Sequence, residues 1–220
     1  MAIAVIGAVA ITLTAAGGAG SEPEGSRSNV KPRIAERWIH FGDRRKRQTA
    51  RYAQRHYGLK TWRLRKPKLI VEHMAATSSY DSVYSTFASN EPDVEYGERP
   101  GVCSHFLVGE DGRIYQFVRT GIICRHVVGL NHVAIGIEHL GTAERGVLRD
   151  PAQRRPSLRL TRWLACRFDI SVRRVIGHNE SLSSPFYVEH DPDFRGRTHA
   201  DWPERAMDRY RRLLRRKPAC

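Results

Sequence analysis

The chain has 220 residues and a mass of 25.1 kDa, which suits one core of ordinary size with extra segments at its ends. Its 37 lysines and arginines outnumber 23 acidic residues, and the net charge of +14 predicts attraction to a polyanion. The basic groups are not interleaved with stacking aromatic residues, which disfavours a specific nucleic-acid-binding protein. Charge alone does not choose between anionic lipid and an anionic cell-wall polymer as partner, and a solvated basic surface is the favoured interpretation. We expect a monomer.

The N-terminal segment indicates export. Residues 2–19 carry no charge, and small residues end this stretch as they do at a signal-peptide cleavage site. Residues 1–20 are therefore predicted to be either a signal peptide or a membrane anchor that contacts the membrane. The expected location is secreted or associated with the cell wall. The Gly, Ser, Pro and charged residues that follow predict a linker over 21–42.

A basic helical stretch follows the linker, within residues 43–64. Ala50, Ala53 and Tyr57 have helical spacing, and Gly58 is a C-terminal stop signal. We interpret this stretch as an accessory helix packed on the main domain.

Strand and helix patterns alternate through the middle of the chain. An apolar strand pattern ends at His73, and Ser79 is placed to cap the helix that follows. Two strand runs meet at Asp111 and Gly112, which is a strong hairpin signal, and a later strand ends at Glu138. These patterns predict an α/β fold: a single domain with a central mixed β-sheet flanked by helices, preceded by the N-terminal export segment.

Three more elements complete the predicted domain. A helical pattern follows Ser157, and a last apolar strand ends at His178. The terminal helix has Asp201 as its predicted N-cap, with Glu204 three residues later.

Four cysteines in an exported chain raise the question of disulfide bonds. Cys103 and Cys124 flank the predicted hairpin and form the one plausible pair, although spacing alone does not establish it. Cys166 is expected to be a buried thiol in a helix, and Cys220 a frayed terminus.

Three apolar strands end in a group that binds or assists a metal ion, namely His73, Glu138 and His178. The strand ends of α/β folds meet at one edge of the sheet, where such folds build their sites. A catalytic zinc needs three protein ligands and an open position, so a third ligand is expected from residues 197–201. Glu138 is expected to accept the proton of the attacking water.

Two residues compete to be the third ligand. His199 and Asp201 both offer zinc-binding groups, and residues two apart in an extended segment face the same side. One would bind the metal while the other lies beside the reacting water. A third interpretation leaves Asp201 as a helix N-cap alone.

Five motifs in this order resemble the zinc-dependent N-acetylmuramoyl-L-alanine amidases of the type 2 family, which are related to peptidoglycan recognition proteins. They cover roughly residues 65–205, and several ordered motifs are more specific than one. The motifs are Ile70-Val71-Glu72-His73, Ser104-His105-Phe106-Leu107-Val108, Asp111-Gly112-Arg113-Ile114-Tyr115-Gln116, Ile135-Gly136-Ile137-Glu138 and Gly177-His178.

The resemblance implies roles for particular residues. His73 and His178 match metal ligands, and Glu138 matches the catalytic glutamate. His126 matches a histidine of the substrate cleft and is therefore expected to contact substrate. Arg125 departs from the pattern, because relatives often have tryptophan at this place.

The resemblance also decides between the two candidates for the third ligand. Relatives end the site with Lys-x-Asp, Lys-x-Cys or His-x-Asp, where the last residue binds zinc and the first assists the reaction. His199-Ala200-Asp201 fits the third form, whereas the register Arg197-Thr198-His199 needs two substitutions. Asp201 is thus the expected ligand and His199 the expected catalytic residue. Trp202 stands where many relatives have proline.

The implied activity is that of a Zn²⁺-dependent amidase whose domain spans 65–218. It would cleave the amide bond between N-acetylmuramic acid and L-alanine in peptidoglycan. The alternative is a non-catalytic peptidoglycan-binding protein of the same fold. Retention of the ligands together with Glu138 and His199 argues against that alternative.

Overall fold

The computed structural model describes residues 30–216 and Cys220. The predicted export segment and the first part of the predicted linker lie outside the described residues. Within the described part of the chain, no helix is both long enough and apolar enough to span a membrane.

A six-stranded mixed sheet forms the centre of the domain, with the strand order β1-β4-β3-β5-β2-β6. Strands β3 and β4 pair antiparallel, and the other neighbouring strands pair parallel. Parallel pairing brings the carboxyl ends of β2, β5 and β6 to one edge of the sheet. The strands are β1 (Ile34–Glu36), β2 (Leu69–Met74), β3 (Phe106–Val108), β4 (Ile114–Gln116), β5 (Ala134–His139) and β6 (Val175–Gly177).

Helices cover both faces of this sheet, so the predicted α/β class is confirmed. On one face, Ile70 and Ile137 of the central strands pack in the main core with Leu160, Leu164 and Met207 of two helices. The helices are α1 (Asp43–Tyr57), α2 (Tyr80–Ser89), α3 (Glu144–Arg149), α4 (Pro151–Phe168) and α5 (Glu204–Arg215).

Helix α1 has the bounds that its sequence predicts. Gly58 adopts a left-handed conformation with φ of 70°, and its N–H donates to the Gln54 carbonyl, which ends the helix. The side chains of Tyr52, Ala53 and Tyr57 lie in the main core. The helix interpreted as accessory is therefore part of the core that supports the sheet.

The linker predicted over 21–42 needs a correction at its C-terminal end. Ile34–Glu36 forms β1, which pairs parallel with β4, and Ile39 is buried. A strand of three residues is too short to show the alternation that identifies longer strands.

Helix α4 begins earlier than predicted. Asp150 caps it by accepting a hydrogen bond from the backbone N–H of Ala152 at 2.8 Å, and Pro151 occupies the first turn. Pro156 lies inside the helix. Packing of Leu160 and Leu164 on the sheet stabilises the helix despite the hydrogen bond that proline removes.

Both cysteine pairs are bonded in the structure. Cys103–Cys124 forms as the hairpin position suggested. Cys166 is bonded to Cys220, which corrects the expectation of a buried thiol and a frayed terminus. The fold brings the end of α4 and the end of the chain together, with Cα atoms 5.3 Å apart, and the sequence separation of 54 conceals this proximity.

Candidate metal centre

The carboxyl ends of three neighbouring strands form the floor of the site. His73 is the fifth residue of β2 and lies opposite Glu138 in the parallel register with β5. His178 directly follows β6, the strand on the other side of β2. The sequence expectation that these three groups meet at one sheet edge is confirmed by the strand order.

Three donor atoms converge at this edge, from His73, His178 and Asp201. The two Nδ1 atoms of His73 and His178 are 3.0 Å apart. The Asp201 carboxylate lies 3.4 Å from Nδ1 of His178 and 4.0 Å from Nδ1 of His73. Tetrahedral zinc with Zn–N distances of about 2.0–2.1 Å requires donors roughly 3.3 Å apart. The distances between the three donor groups are thus close to those that zinc requires.

Both histidines are present as neutral imidazoles. Burial lowers the pKa of His178 to about 3, with the neighbouring His199 adding to the effect. Burial also holds the pKa of His73 well below its usual value, and the other histidines nearby lower it further. A neutral imidazole has a free nitrogen lone pair, which is the form that binds a metal ion.

Asp201 is held in place by the backbone of two strand ends. Its Oδ2 accepts a hydrogen bond from the N–H of Met74 at 2.9 Å, and its backbone carbonyl accepts one from Asn179 at 3.0 Å. The predicted N-cap role is wrong, because Pro203 occupies the cap position of α5 and no side chain caps that helix. The carboxylate is therefore available to the two histidines.

A close backbone contact explains how Asp201 reaches His178. A Cβ atom built on Gly177 would lie 1.9 Å from the carbonyl oxygen of Trp202, so only glycine fits at the end of β6. Trp202 itself is fully buried and has φ of 51°. This contact brings the segment before α5 against the end of β6.

Glu138 lies beside the donor atoms. Its carboxylate is shielded from water and close to a second carboxylate. Burial raises the pKa of Glu138 to about 8, and the nearby Asp201 carboxylate contributes to the shift. Burial also raises the pKa of Asp201. A cation bound between the donors would favour the charged forms of both carboxylates. The electrostatics therefore fit a metal ion as well as the distances do.

His126 lies against the other side of the His73 ring. Its Nδ1 is 2.9 Å from Nε2 of His73. The backbone N–H of His126 donates to Oδ1 of Asn131 at 2.8 Å, and Gly136 leaves room for the ring because a Cβ there would lie 2.9 Å from it. The histidine expected in the substrate cleft thus contacts a candidate ligand.

His199 lies at the open side of the site. Its ring stacks on that of His178, with centroids 4.7 Å apart and planes inclined by 5°. Its Nε2 is 3.1 Å from Oε2 of Glu95. Glu95 belongs to a polar loop without a motif, so nothing in the sequence singled it out. Arg197, the alternative in the other register, lies over the ring of Tyr96.

Arg125, the departure from the family pattern, anchors the loop that carries Glu95. Its guanidinium forms an ion pair with Asp93 and donates to the carbonyl of Pro100 at 2.8 Å. Both side chains of the ion pair are largely buried. The substitution therefore has a structural role at the border of the site.

Comparisons with known proteins give the family of the chain. The model of the family described as N-acetylmuramoyl-L-alanine amidase matches residues 63–193, which is more than half of the chain. No curated protein matches the sequence.

Solved structures share the fold. The endolysin amidase LysCS of Clostridium intestinale is similar with a TM-score of 0.52 and 18% identity, over 85% of this chain and 98% of its own. A mutant endolysin of Bacillus subtilis is similar with a TM-score of 0.50 and 19% identity, over 83% of this chain and 98% of its own. By its family match, the chain belongs to the N-acetylmuramoyl-L-alanine amidases, the enzymes that cleave the amide bond between N-acetylmuramic acid and L-alanine in peptidoglycan.

Proposed function

We propose that the amidase activity of this chain depends on a zinc ion held by His73, His178 and Asp201. The observation that carries the proposal is the convergence of their three donor atoms within 4.8 Å. Two imidazoles and a carboxylate with one open position are a donor set that catalytic zinc sites use. When bound, zinc supplies Lewis-acid chemistry, because it polarises the scissile carbonyl and makes water acidic enough to react near neutral pH.

Glu138 is the general base in this proposal. It lies next to His73 across the β2–β5 pair, and so faces the same edge as the donors. Its carboxylate accepts the proton of the attacking water and then donates it to the leaving amine of L-alanine.

His199 and His126 act at opposite sides of the donors. His199 stabilises the negative charge that develops on the carbonyl oxygen, and its stacking on His178 together with the contact to Glu95 sets the plane of its ring. We assign His126 to positioning His73, since its ring nitrogen meets the Nε2 of that residue. The substrate contact of His126 that the resemblance implies stays a prediction.

We also propose that the protein acts outside the cytoplasm, as a secreted or wall-associated monomer. The uncharged residues 2–19 support this proposal, with residues 1–20 as signal peptide or membrane anchor. Peptidoglycan lies outside the cytoplasmic membrane, so export brings the enzyme to its substrate.

Digestion of purified peptidoglycan tests the proposal. We expect new L-alanine amino termini without new reducing sugars, and a zinc content of about one ion per chain. Glu138→Gln should keep zinc and lower turnover by roughly 10² to 10⁴-fold. The absence of both products, with peptidoglycan still bound, would establish the non-catalytic binding protein instead. Activity that survives complete zinc removal would overturn the metal assignment.

A further inference from the structure

A concave surface lies alongside β6 and the turn that follows it. It has a volume of about 430 Å³, and we call it the β6 groove. Its walls include Arg173 and Arg174 before β6, Phe186, and Arg211 and Arg215 of α5. Arg174 and His178 are four residues apart, so roughly 13 Å of extended chain separates the backbone of Arg174 from that of His178.

The groove has an excess of positive charge. Its carboxylate, Glu180, is already paired with Arg211 through two contacts of 2.8 and 2.9 Å. Within residues 30–216, Lys68, Arg173 and Arg174 form no ion pair with a carboxylate. All three of these side chains are exposed. Their charges are therefore free to act on a ligand.

One aromatic ring contacts two of these cations. The Lys68 ammonium lies 5.1 Å from the ring centroid of Phe186, and the Arg174 guanidinium lies 5.2 Å from it. Phe186 packs against the apolar cluster below the sheet, which fixes its position. The cation–π contacts keep both positive groups at the groove in the absence of an acidic partner.

We propose that the β6 groove binds a phosphodiester polymer of the cell wall. The planar guanidinium groups of Arg173 and Arg174 match the geometry of phosphate oxygens, and Phe186 offers an apolar surface to the carbon skeleton between phosphates. The proposal rests on the amidase function, because peptidoglycan is the substrate that places such polymers next to the enzyme. A bound polymer holds the enzyme on the wall while the metal centre, at the carboxyl end of β6, stays open.

Nucleic acid is a poorer match to the same groove. Binding of single strands uses several aromatic rings on which successive bases stack, and the groove offers Phe186 as its aromatic lining residue. A wall polymer without bases needs no such stacking. The two polyanions are therefore separable by experiment.

Binding of poly(glycerol phosphate) by the whole chain tests the proposal. The test variant is Arg173→Gln/Arg174→Gln, and the matched control is Arg44→Gln/Arg47→Gln on α1. Both variants remove two positive charges from exposed positions, and the control residues do not line the groove. Fluorescence anisotropy over a series of salt concentrations gives the dissociation constant and its salt dependence.

The groove variant should bind the polymer at least about tenfold more weakly, while the control variant changes much less. The slope of log affinity against log salt should fall by roughly 1.4 in the groove variant, since each lost contact with a flexible polyanion removes about 0.7. Equal losses of affinity in the two variants would show that net charge, and not the groove, determines binding. If single-stranded DNA of equal charge binds more tightly than the polymer, and the groove variant loses this binding, the groove is a nucleic-acid site.

Hydrolysis assays distinguish a failure of this proposal from a failure of the amidase proposal. Both variants should cleave a soluble muropeptide at the wild-type rate, and the groove variant should digest intact walls more slowly at low salt. A wild-type chain that binds poly(glycerol phosphate) but cleaves no muropeptide would contradict the zinc amidase and leave the groove in place. A wild-type chain that cleaves muropeptide but does not bind the polymer would overturn the groove.

Discussion

The Nε2 atom of His73 lies 2.9 Å from the Nδ1 atom of His126, while the Nδ1 atom of His73 faces His178. A histidine that binds metal through Nδ1 carries its proton on Nε2, so with the proposed zinc bound His73 would donate and His126 would accept. His126 would then favour the tautomer of His73 that leaves Nδ1 free for the metal ion.

Loss of this acceptor should weaken zinc binding. We expect His126→Leu to raise the dissociation constant for zinc by roughly 10 to 100-fold, as for other partners of metal-bound histidines. His126→Asn places an oxygen near the former Nδ1 and should recover much of the affinity. Competition with a chromophoric chelator measures both values.

The control for this experiment is His132→Leu. His132 is also partly buried but packs against Tyr57, away from the donors. Unchanged zinc affinity in His126→Leu, or equal losses in the His126 and His132 variants, would contradict the positioning role.

Substitutions of Asp201 and His199 should have different effects, one on metal binding and the other on turnover. Asp201→Ala removes a donor and should lower zinc affinity by more than the roughly 10 to 100-fold expected for an outer partner. His199→Ala should keep zinc and lower turnover by roughly 10² to 10³-fold, as loss of an oxyanion donor does. Zinc titration and hydrolysis of a soluble muropeptide are measured on both variants. Zinc loss in the His199 variant with retention in the Asp201 variant would reverse the assignment.

Gly177→Ala should damage the site through its backbone. The new Cβ would meet the carbonyl oxygen of Trp202 at 1.9 Å, so the segment that carries Asp201 has to move away from His178. We expect a loss of about 1 to 3 kcal/mol in the free energy of unfolding, as for overpacking, together with weaker zinc binding. Gly121→Ala is the control, because a Cβ there meets no atom within 4 Å. Equal stability of the two variants would refute the close-contact argument.

A buried pair outside the site gives a pH dependence of stability. Nδ1 of His56 lies 2.9 Å from Glu189, and both side chains are fully buried. Burial opposes the charged imidazole, but hydrogen bonds with Glu189 and Glu98 outweigh it and raise the pKa of His56. The pair therefore contributes its full stability below the unfolded pKa of about 6.5, and this contribution is lost as the pH rises through the higher folded pKa.

Replacement of His56, the positively charged member of the pair, tests the predicted direction of this pH dependence. Denaturant unfolding of the wild type and of His56→Phe, measured from about pH 5.5 to about pH 9, gives the difference in stability at each pH. The wild-type advantage should shrink as the pH rises. A wild-type advantage that grows with pH would show that His56 titrates in the opposite sense.

Much of the fold could be predicted because its central elements are long or strongly patterned. The apolar runs before His73 and Glu138 are six-residue strands, and the helical spacing up to Tyr57 fixes α1. Strand β1 was not predicted, because its three residues gain their stability from β4 rather than from their own pattern. Pairing across long separations, as between Cys166 and Cys220, leaves no local signal.

Some residues of the site could likewise be predicted from the sequence, and others could not. His73, Glu138 and His178 could be found because each ends an apolar run, and Asp201 because a family motif contains it. Glu95 could not be found, because its place beside His199 depends on the ion pair between Arg125 and Asp93. The role of Gly177 also could not, because the atom that it accommodates belongs to a segment far along the chain.

The separation of the donors along the chain would make a bound metal ion a structural cross-link as well as a catalyst. His73 and His178 are 105 residues apart, and Asp201 adds a contact with Met74 across 127 residues. An ion bound to all three would close these long loops, and closure of long loops restricts the unfolded chain most. Zinc depletion should therefore loosen the junction of β2, β6 and the segment before α5, so that the enzyme's resistance to unfolding follows the zinc supply of its surroundings.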